Sequence, residues 1–207
     1  IVGYIGSKPA CPIIMNGLKR LEYRGYDSAG IATIEHSKIV ISKKAGKVAD
    51  LEKIVNPAAL TSTIGIGHTR WATHGEPNDI NAHPHTDFTG NITLIHNGII
   101  ENYLAIKKKL LLDGYTFKSD TDSEVLAVFI GDLYKRTLDF ETAVRLALTE
   151  IDGTFGLVVM STYEPNTLIA ARRGSPIVFG IGEGEYIIAS DASAIIQHTR
   201  QVIYLND

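Results

Sequence analysis

Histidine, arginine and tryptophan side chains are concentrated in the segments His68–Gly75 and Asn81–His85. Together these segments hold four histidines, Arg70, two threonines and the only tryptophan of the chain within eighteen residues. The planar guanidinium of Arg70 has the right shape to bind a carboxylate. The stretch Ile64–Gly67 just before them is predicted to be the end of a buried strand. Polar groups that directly follow a buried strand often form binding sites, because the strand fixes them next to solvent. The sequence therefore predicts a polar binding site here, with a plain surface loop as the alternative.

The four histidines do not have the spacing of a common metal site. Pro84 separates His83 from His85 and breaks helical geometry, and the chain has neither an H-E-x-x-H motif nor a pair of cysteines. We therefore expect no metal.

Two further stretches could contribute to catalysis. Ile92–Ile95 is predicted to be a strand that ends at His96-Asn97-Gly98, and a helical pattern follows from Tyr103. Because of that helix, a tight Asn-Gly hairpin is the weaker interpretation. The amide of Asn97 next to the N–H of Gly98 would be a plausible pair of donors for a developing oxyanion.

Thr121 and Glu124 have the spacing of a capping box and predict the start of a helix there. Asp122 then lies in the first helical turn, where its carboxylate would either stabilise the helix dipole or serve the site. Arg24 and Asp27 leave a similar choice open. They either pair with each other and order a loop, or form a wall of the site.

Composition and charge exclude several classes of protein. The chain has 207 residues, 44% of them hydrophobic, and a formal net charge of -3. It has no basic footprint for nucleic acid and no apolar run long enough for a membrane span, and we expect no signal peptide. Its single cysteine, Cys11, cannot form an internal disulfide, and we expect it to be a packed residue at a helix entry. These features predict a soluble, cytoplasmic protein.

The order of predicted elements indicates one α+β domain over residues 1–207. The chain begins with a strand at Ile1 and continues with a helix that places Ile14, Leu18 and Leu21 on one face. The last third is mostly strands, with a helix predicted over residues 191–198. About ten strands with helices grouped before and between them favour two facing sheets covered by helices.

Taken together, the ordered motifs resemble one family, the glutaminase domains of glutamine–fructose-6-phosphate aminotransferases (isomerising). The resemblance covers essentially the whole chain, and the motifs that carry it are Ile1–Gly3, Arg24–Gly30, His68–Gly75, Asn81–His85, His96–Asn102 and Thr121–Glu124. It implies the N-terminal-nucleophile hydrolase fold, an αββα sandwich. It also implies L-glutamine as substrate, no cofactor, an isomerase domain on the same polypeptide that receives the ammonia, and a homo-oligomer for the full-length enzyme.

The resemblance also implies a role for each candidate residue. In the family, an N-terminal cysteine thiolate attacks the side-chain amide of glutamine, with its own α-amine as the base. Asn97 and Gly98 match the oxyanion hole. The remaining matches are Arg70 and Thr73 at the substrate carboxylate, Asp122 at the substrate ammonium, His74 and His83 as supports, Trp71 at the passage for ammonia, and Arg24 in a loop over the thiol.

The sequence departs from the family at its start, because the family has Cys-Gly before Ile-Val-Gly. We expect the nucleophile to lie two residues before Ile1. A non-catalytic module that binds glutamine is the alternative of another class. Two other amidotransferase groups fit less well. Amidophosphoribosyltransferases have Arg-Tyr-Ser-Thr where this chain has Arg70–Thr73, and asparagine synthetases have Arg-Gly-Pro-Asp in place of Arg24–Asp27.

Overall fold

Eleven strands and five α-helices follow one another in a computed structural model that describes residues 1–207. The strands are β1 (Val2–Ile5), β2 (Ser28–Glu35), β3 (Lys38–Ala45), β4 (Ile64–Arg70), β5 (His85–Thr86), β6 (Ile92–Ile100), β7 (Gly153–Ser161), β8 (Leu168–Arg173), β9 (Val178–Gly182), β10 (Glu185–Ala189) and β11 (Val202–Tyr204). The helices are α1 (Ala10–Leu21), α2 (Val48–Ile54), α3 (Tyr103–Leu112), α4 (Asp122–Thr137) and α5 (Phe140–Glu150).

The strands form two antiparallel sheets. One has seven strands in the order β11-β9-β10-β1-β4-β2-β3, and the other has four in the order β5-β6-β7-β8. β1 therefore lies inside the larger sheet, between β10 and β4. This position explains why the strand at the start of the chain is almost entirely buried.

Three apolar clusters define the layers. Ile66, Ile95 and Val158 belong to the cluster that joins the two sheets face to face. The apolar face of α1 packs on the seven-stranded sheet together with α2, and the helices α3, α4 and α5 cover the four-stranded sheet. The predicted αββα arrangement is confirmed. No helix combines the length and the apolar character needed to cross a lipid bilayer.

Most predicted elements are present, with three differences. β4 continues to Arg70 instead of ending at Gly67, and β6 continues through Asn97-Gly98 to Ile100. The helix predicted over residues 191–198 is wrong. Only Ala192–Ala194 form a 3₁₀ turn, in which the Asp191 carboxylate accepts from the Ser193 N–H at 2.8 Å. In the stretch that follows, the backbone N–H groups of Ala194, Ile195 and His198 bond three residues back instead of four, so no continuous α-helix forms.

Candidate active site

A cavity of about 310 Å³ opens where β4, β6 and the start of α4 meet. A volume in this range suits a small-molecule ligand. All nine residues proposed from the sequence line it, namely Arg24, Arg70, Trp71, Thr73, His74, His83, Asn97, Gly98 and Asp122. The fold thus brings every proposed residue to one place, although they come from segments almost a hundred residues apart.

Asn97 and Gly98 lie within the β6–β7 ladder, opposite Gly156 and Phe155. Gly98 has a φ of +120°, and an ideal Cβ built on it would lie 2.1 Å from the carbonyl oxygen of Thr154. Only glycine fits this backbone. The tight ladder fixes the direction of the Gly98 N–H, which is a requirement for a preorganised oxyanion donor.

A buried stack of two histidines lies behind Asn97. His68 Nε2 is 2.8 Å from Asn97 Oδ1, and the rings of His68 and His83 stack with centroids 4.4 Å apart. His83 Nδ1 in turn accepts from the backbone N–H of His96 at 3.3 Å. Burial holds the pKa of both stacked histidines well below 6.5, so both rings are neutral near pH 7.

Asp122 is the first residue of α4, as the capping signal predicts. The Thr121 hydroxyl accepts from the Glu124 N–H at 3.2 Å, whereas the Glu124 carboxylate accepts from the Ser119 N–H at 2.6 Å and not from Thr121. The Asp122 carboxylate is 3% exposed and accepts from the Ile100 N–H at 2.9 Å. The ring nitrogens Nδ1 of His74 and His96 both lie 4.0 Å from it.

Arg70 ends β4 with its side chain buried, and its guanidinium is already engaged. It donates to the carbonyl oxygens of His74, of Gly75 at 3.0 Å and of Glu76 at 3.4 Å. Three of its five N–H donors are used in this way, and the Asp27 carboxylate lies 3.6 Å from Nη1, so at most two donors remain for a ligand. Burial lowers the pKa of Arg70, and the neighbouring carboxylates of Asp27 and Asp122 oppose that shift.

Asp27 does not pair with Arg24, so that interpretation is wrong. Its carboxylate lies 3.6 Å from Arg70 and accepts from the backbone N–H of Ala72. Asp27 therefore orders both the arginine and the loop that follows β4.

Three of the proposed residues, Arg24, Trp71 and Thr73, lie at the exposed rim of the cavity. The Trp71 side chain is 69% exposed and lies against Gly25, where an ideal Cβ would be 2.5 Å from its Cζ3. The rim therefore brings together two loops, one after α1 and one after β4. His74 lies deeper and contacts Tyr103 edge-on at 4.9 Å.

The backbone of Ile1 forms part of the cavity wall and is held at both ends by Ser190. The Ile1 nitrogen donates to Ser190 Oγ at 3.1 Å, and the Ile1 carbonyl oxygen accepts from the Ser190 N–H at 3.1 Å. Cys11 is fully buried in α1 and does not line the cavity, as expected for a packed thiol.

Arg70 and Asp122 are the two buried charged residues that line the cavity, and Arg24 lies exposed at its rim. The donors of Asn97 and Gly98 are a separate feature. Nowhere in the chain do three or more His, Cys, Asp or Glu side chains group in a way that could hold a metal ion. A ligand with both a carboxylate and an ammonium group would match the two charges.

Several lining residues were not proposed from the sequence. They include His68, His96, Thr121, Ser123, Ser175, Pro176 and Ser190. His96 is adjacent to Asn97, and that adjacency was a usable signal. Ser175 and Pro176 follow β8 and have no motif around them, and only the pairing of β7 with β8 brings them to the cavity.

Comparisons with known proteins agree with this architecture. The family model of the glutamine amidotransferase domain matches residues 56–206. The glutamine–fructose-6-phosphate aminotransferase [isomerizing] of Chlorobaculum tepidum is 53% identical over 100% of this chain, and that of Pyrococcus horikoshii is also 53% identical over 100%. The chain spans only 34% and 35% of these two relatives, about a third of their length.

Among solved structures, the glutamine phosphoribosylpyrophosphate amidotransferase of B. subtilis, complexed with ADP and GMP, has the same fold. It superposes with a TM-score of 0.81 at 26% sequence identity, over 99% of this chain and 44% of that one.

Proposed function

Because the chain belongs to the glutamine amidotransferase domain family, we propose that its cavity binds L-glutamine and hydrolyses the side-chain amide to glutamate and ammonia. The presence of the buried side chains of Arg70 and Asp122 in the lining of one cavity carries the proposal. Arg70 binds the α-carboxylate with help from Thr73, and Asp122 binds the α-ammonium. The amide end of the ligand then extends toward Asn97 and Gly98.

The reaction needs a nucleophile at the amide carbon. We place it on a cysteine two residues ahead of Ile1. The Cα of this cysteine would lie within about 7 Å of the Ile1 Cα, and therefore near the cavity wall. The α-amine of this cysteine takes the proton of its thiol, the thiolate attacks the amide carbon, and the N–H donors of Asn97 and Gly98 stabilise the oxyanion. The C–N bond then breaks, the proton taken from the thiol leaves with the nitrogen as ammonia, and water hydrolyses the thioester to glutamate.

The same proposal extends to the fate of the ammonia. The relatives are named for transfer to fructose 6-phosphate, and they are about three times longer than this chain. We place a sugar-phosphate isomerase domain on the same polypeptide as the acceptor, with the exposed rim residue Trp71 at the passage and Arg24 over the thiol. We place the reaction in the cytoplasm, which suits a chain whose single thiol is free and buried.

The binding half of the proposal is tested by calorimetry with L-glutamine and two truncated ligands. Glutaramate lacks the α-ammonium, and 4-aminobutyramide lacks the α-carboxylate. Each missing charged hydrogen bond should weaken binding about 10- to 100-fold.

The variants should change this selectivity in opposite ways. Arg70→Ala should bind L-glutamine no better than 4-aminobutyramide, while it still discriminates against glutaramate. Asp122→Asn should lose only the discrimination against glutaramate. Equal weakening of all three ligands by both variants would contradict the assigned roles.

Binding alone would also fit a non-catalytic module. The chain carrying Cys-Gly before Ile1, here called the Cys-Gly form, separates the two functions. Tight glutamine binding without glutamate release by the Cys-Gly form would favour the binding module.

A further inference from the structure

His68 makes the one hydrogen bond that ties the Asn97 amide to the opposite sheet. His68 lies on β4 of the seven-stranded sheet, and Asn97 lies on β6 of the four-stranded sheet. His68 Nε2 and Asn97 Oδ1 are 2.8 Å apart, and the His68 side chain is 2% exposed. The contact therefore crosses the interface between the sheets, with the His68 ring buried and Asn97 half-buried at the cavity wall.

The orientation of an asparagine amide decides whether it stabilises or repels an oxyanion. Its Nδ2 carries two donors, and its Oδ1 is only an acceptor. With Oδ1 held by an N–H of His68, the groups that remain for a ligand are the two Nδ2–H donors. A rotation of the amide by 180° would present Oδ1 to the developing negative charge instead.

The surroundings of His68 favour the neutral ring with the proton on Nε2. The ring stacks on His83 at an interplanar angle of 17°. The groups that face it are the Ile1 nitrogen, His83, His96 and Arg70, and none of them is an anion that would stabilise a second proton. His68 Nδ1 has no hydrogen-bond partner. Because a buried N–H without a partner is costly, this nitrogen is better explained as the one that carries no proton.

We propose that His68 is a positioning residue, which fixes the Asn97 amide so that Nδ2 faces the oxyanion. This inference rests on the proposed glutaminase function. His68 does not touch the substrate itself, and it acts only through Asn97. It follows that the loss of His68 should matter only while Asn97 is present.

The test is a double-mutant cycle in the Cys-Gly form, with glutamate release from L-glutamine as the readout. Asn97→Ala should lower kcat by about 10²- to 10³-fold. His68→Leu should lower kcat by roughly two- to tenfold with an unchanged KM, because one neutral hydrogen bond sets the amide orientation. In the Asn97→Ala background, His68→Leu should have no further effect on kcat.

Rescue distinguishes positioning from packing. Gln at position 68 can donate from a nitrogen close to the position of Nε2, whereas Leu cannot. His68→Gln should therefore keep most of the kcat that His68→Leu loses, while thermal melting shows both variants folded.

Three results would overturn the inference. The first is a further fall in kcat when His68→Leu is added to Asn97→Ala. The second is an equal fall in kcat for His68→Leu and His68→Gln. The third comes from ¹H–¹⁵N NMR of the His68 imidazole in the chain that begins at Ile1. A proton on His68 Nδ1 would mean that the Asn97 amide has the reverse orientation. An inactive Cys-Gly form would instead remove the glutaminase function itself.

Discussion

Replacing Gly98 with alanine is the sharpest perturbation of the proposed oxyanion hole. At the backbone φ of +120°, the new Cβ would lie 2.1 Å from the Thr154 carbonyl oxygen and 2.7 Å from its carbonyl carbon. Real Cβ atoms essentially never approach closer than 3.0 Å. β6 must therefore move away from β7 by about 1 Å, and the Gly98 N–H moves with it.

The expected loss of stability caused by Gly98→Ala is the sum of two contributions. The positive φ costs an alanine about 1–3 kcal/mol. Displacement of the β6–β7 ladder weakens the backbone hydrogen bonds next to Phe155, at about 1 kcal/mol each, and disturbs the close packing of the neighbouring side chains. We expect a total loss of about 4 kcal/mol in the free energy of unfolding.

Gly90 supplies the matched control. It also has a positive φ, +74°, but no atom lies within 4 Å of its ideal Cβ. Gly90→Ala should therefore cost only about 1 kcal/mol. Urea denaturation of both variants measures the difference, and glutamate release by the Cys-Gly form should fall with Gly98→Ala alone. Equal stability losses for Gly98→Ala and Gly90→Ala would refute the argument from close approach.

Three further predictions concern the surroundings of the cavity. The buried histidines with pKa values well below 6.5 are His68, His83 and His85. Below pH 6.5 these histidines take up protons in the unfolded chain but not in the folded chain. The free energy of unfolding is therefore highest above pH 6.5. It falls as the pH drops further, by about 1.4 kcal/mol per pH unit for each histidine. Equal urea midpoints at pH 7 and 5.5 would exclude this loss of stability from the buried histidines. Gly25→Ala should push Trp71 off its contact and change the emission of this single tryptophan, and an unchanged spectrum would contradict the contact. Thr121→Ala should destabilise the chain by about 1 kcal/mol through the lost cap of α4 and weaken glutamine binding through Asp122, which calorimetry would detect.

The sequence predicts much of the fold because local signals and burial agree. The face of α1 formed by Ile14, Leu18 and Leu21 is buried as its spacing requires. The capping signal at Thr121 places Asp122 correctly at the start of α4. The strands of the last third also follow their apolar patterns closely, because turn residues separate them.

The errors arise where tertiary pairing overrides local signals. Asn97-Gly98 normally ends a strand, but here the ladder with β7 continues through both residues to Ile100. The apolar stretch around Ile195 looks helical, yet an Asx contact of Asp191 starts only a 3₁₀ turn. The partners of Arg70 depend on the path of the loop after β4, and no residue spacing encodes that path.

The supporting residues of the site were harder to predict than the motif residues. His68 stands in the central motif, but its contact with Asn97 depends on how the two sheets face each other. Ser190 is almost at the other end of the chain from Ile1, and only the pairing of β1 with β10 joins them.

Glutamate release from L-glutamine by the Cys-Gly form tests the central claim most directly. The same chain carrying Ser-Gly before Ile1 is the matched control, because it keeps the length and the α-amine but lacks the thiol. We predict that the Cys-Gly form releases glutamate and ammonia in equal amounts and that the Ser-Gly form is far slower. Equal rates in the two forms, or none in either, would contradict a cavity built to present glutamine to a thiol at the start of β1.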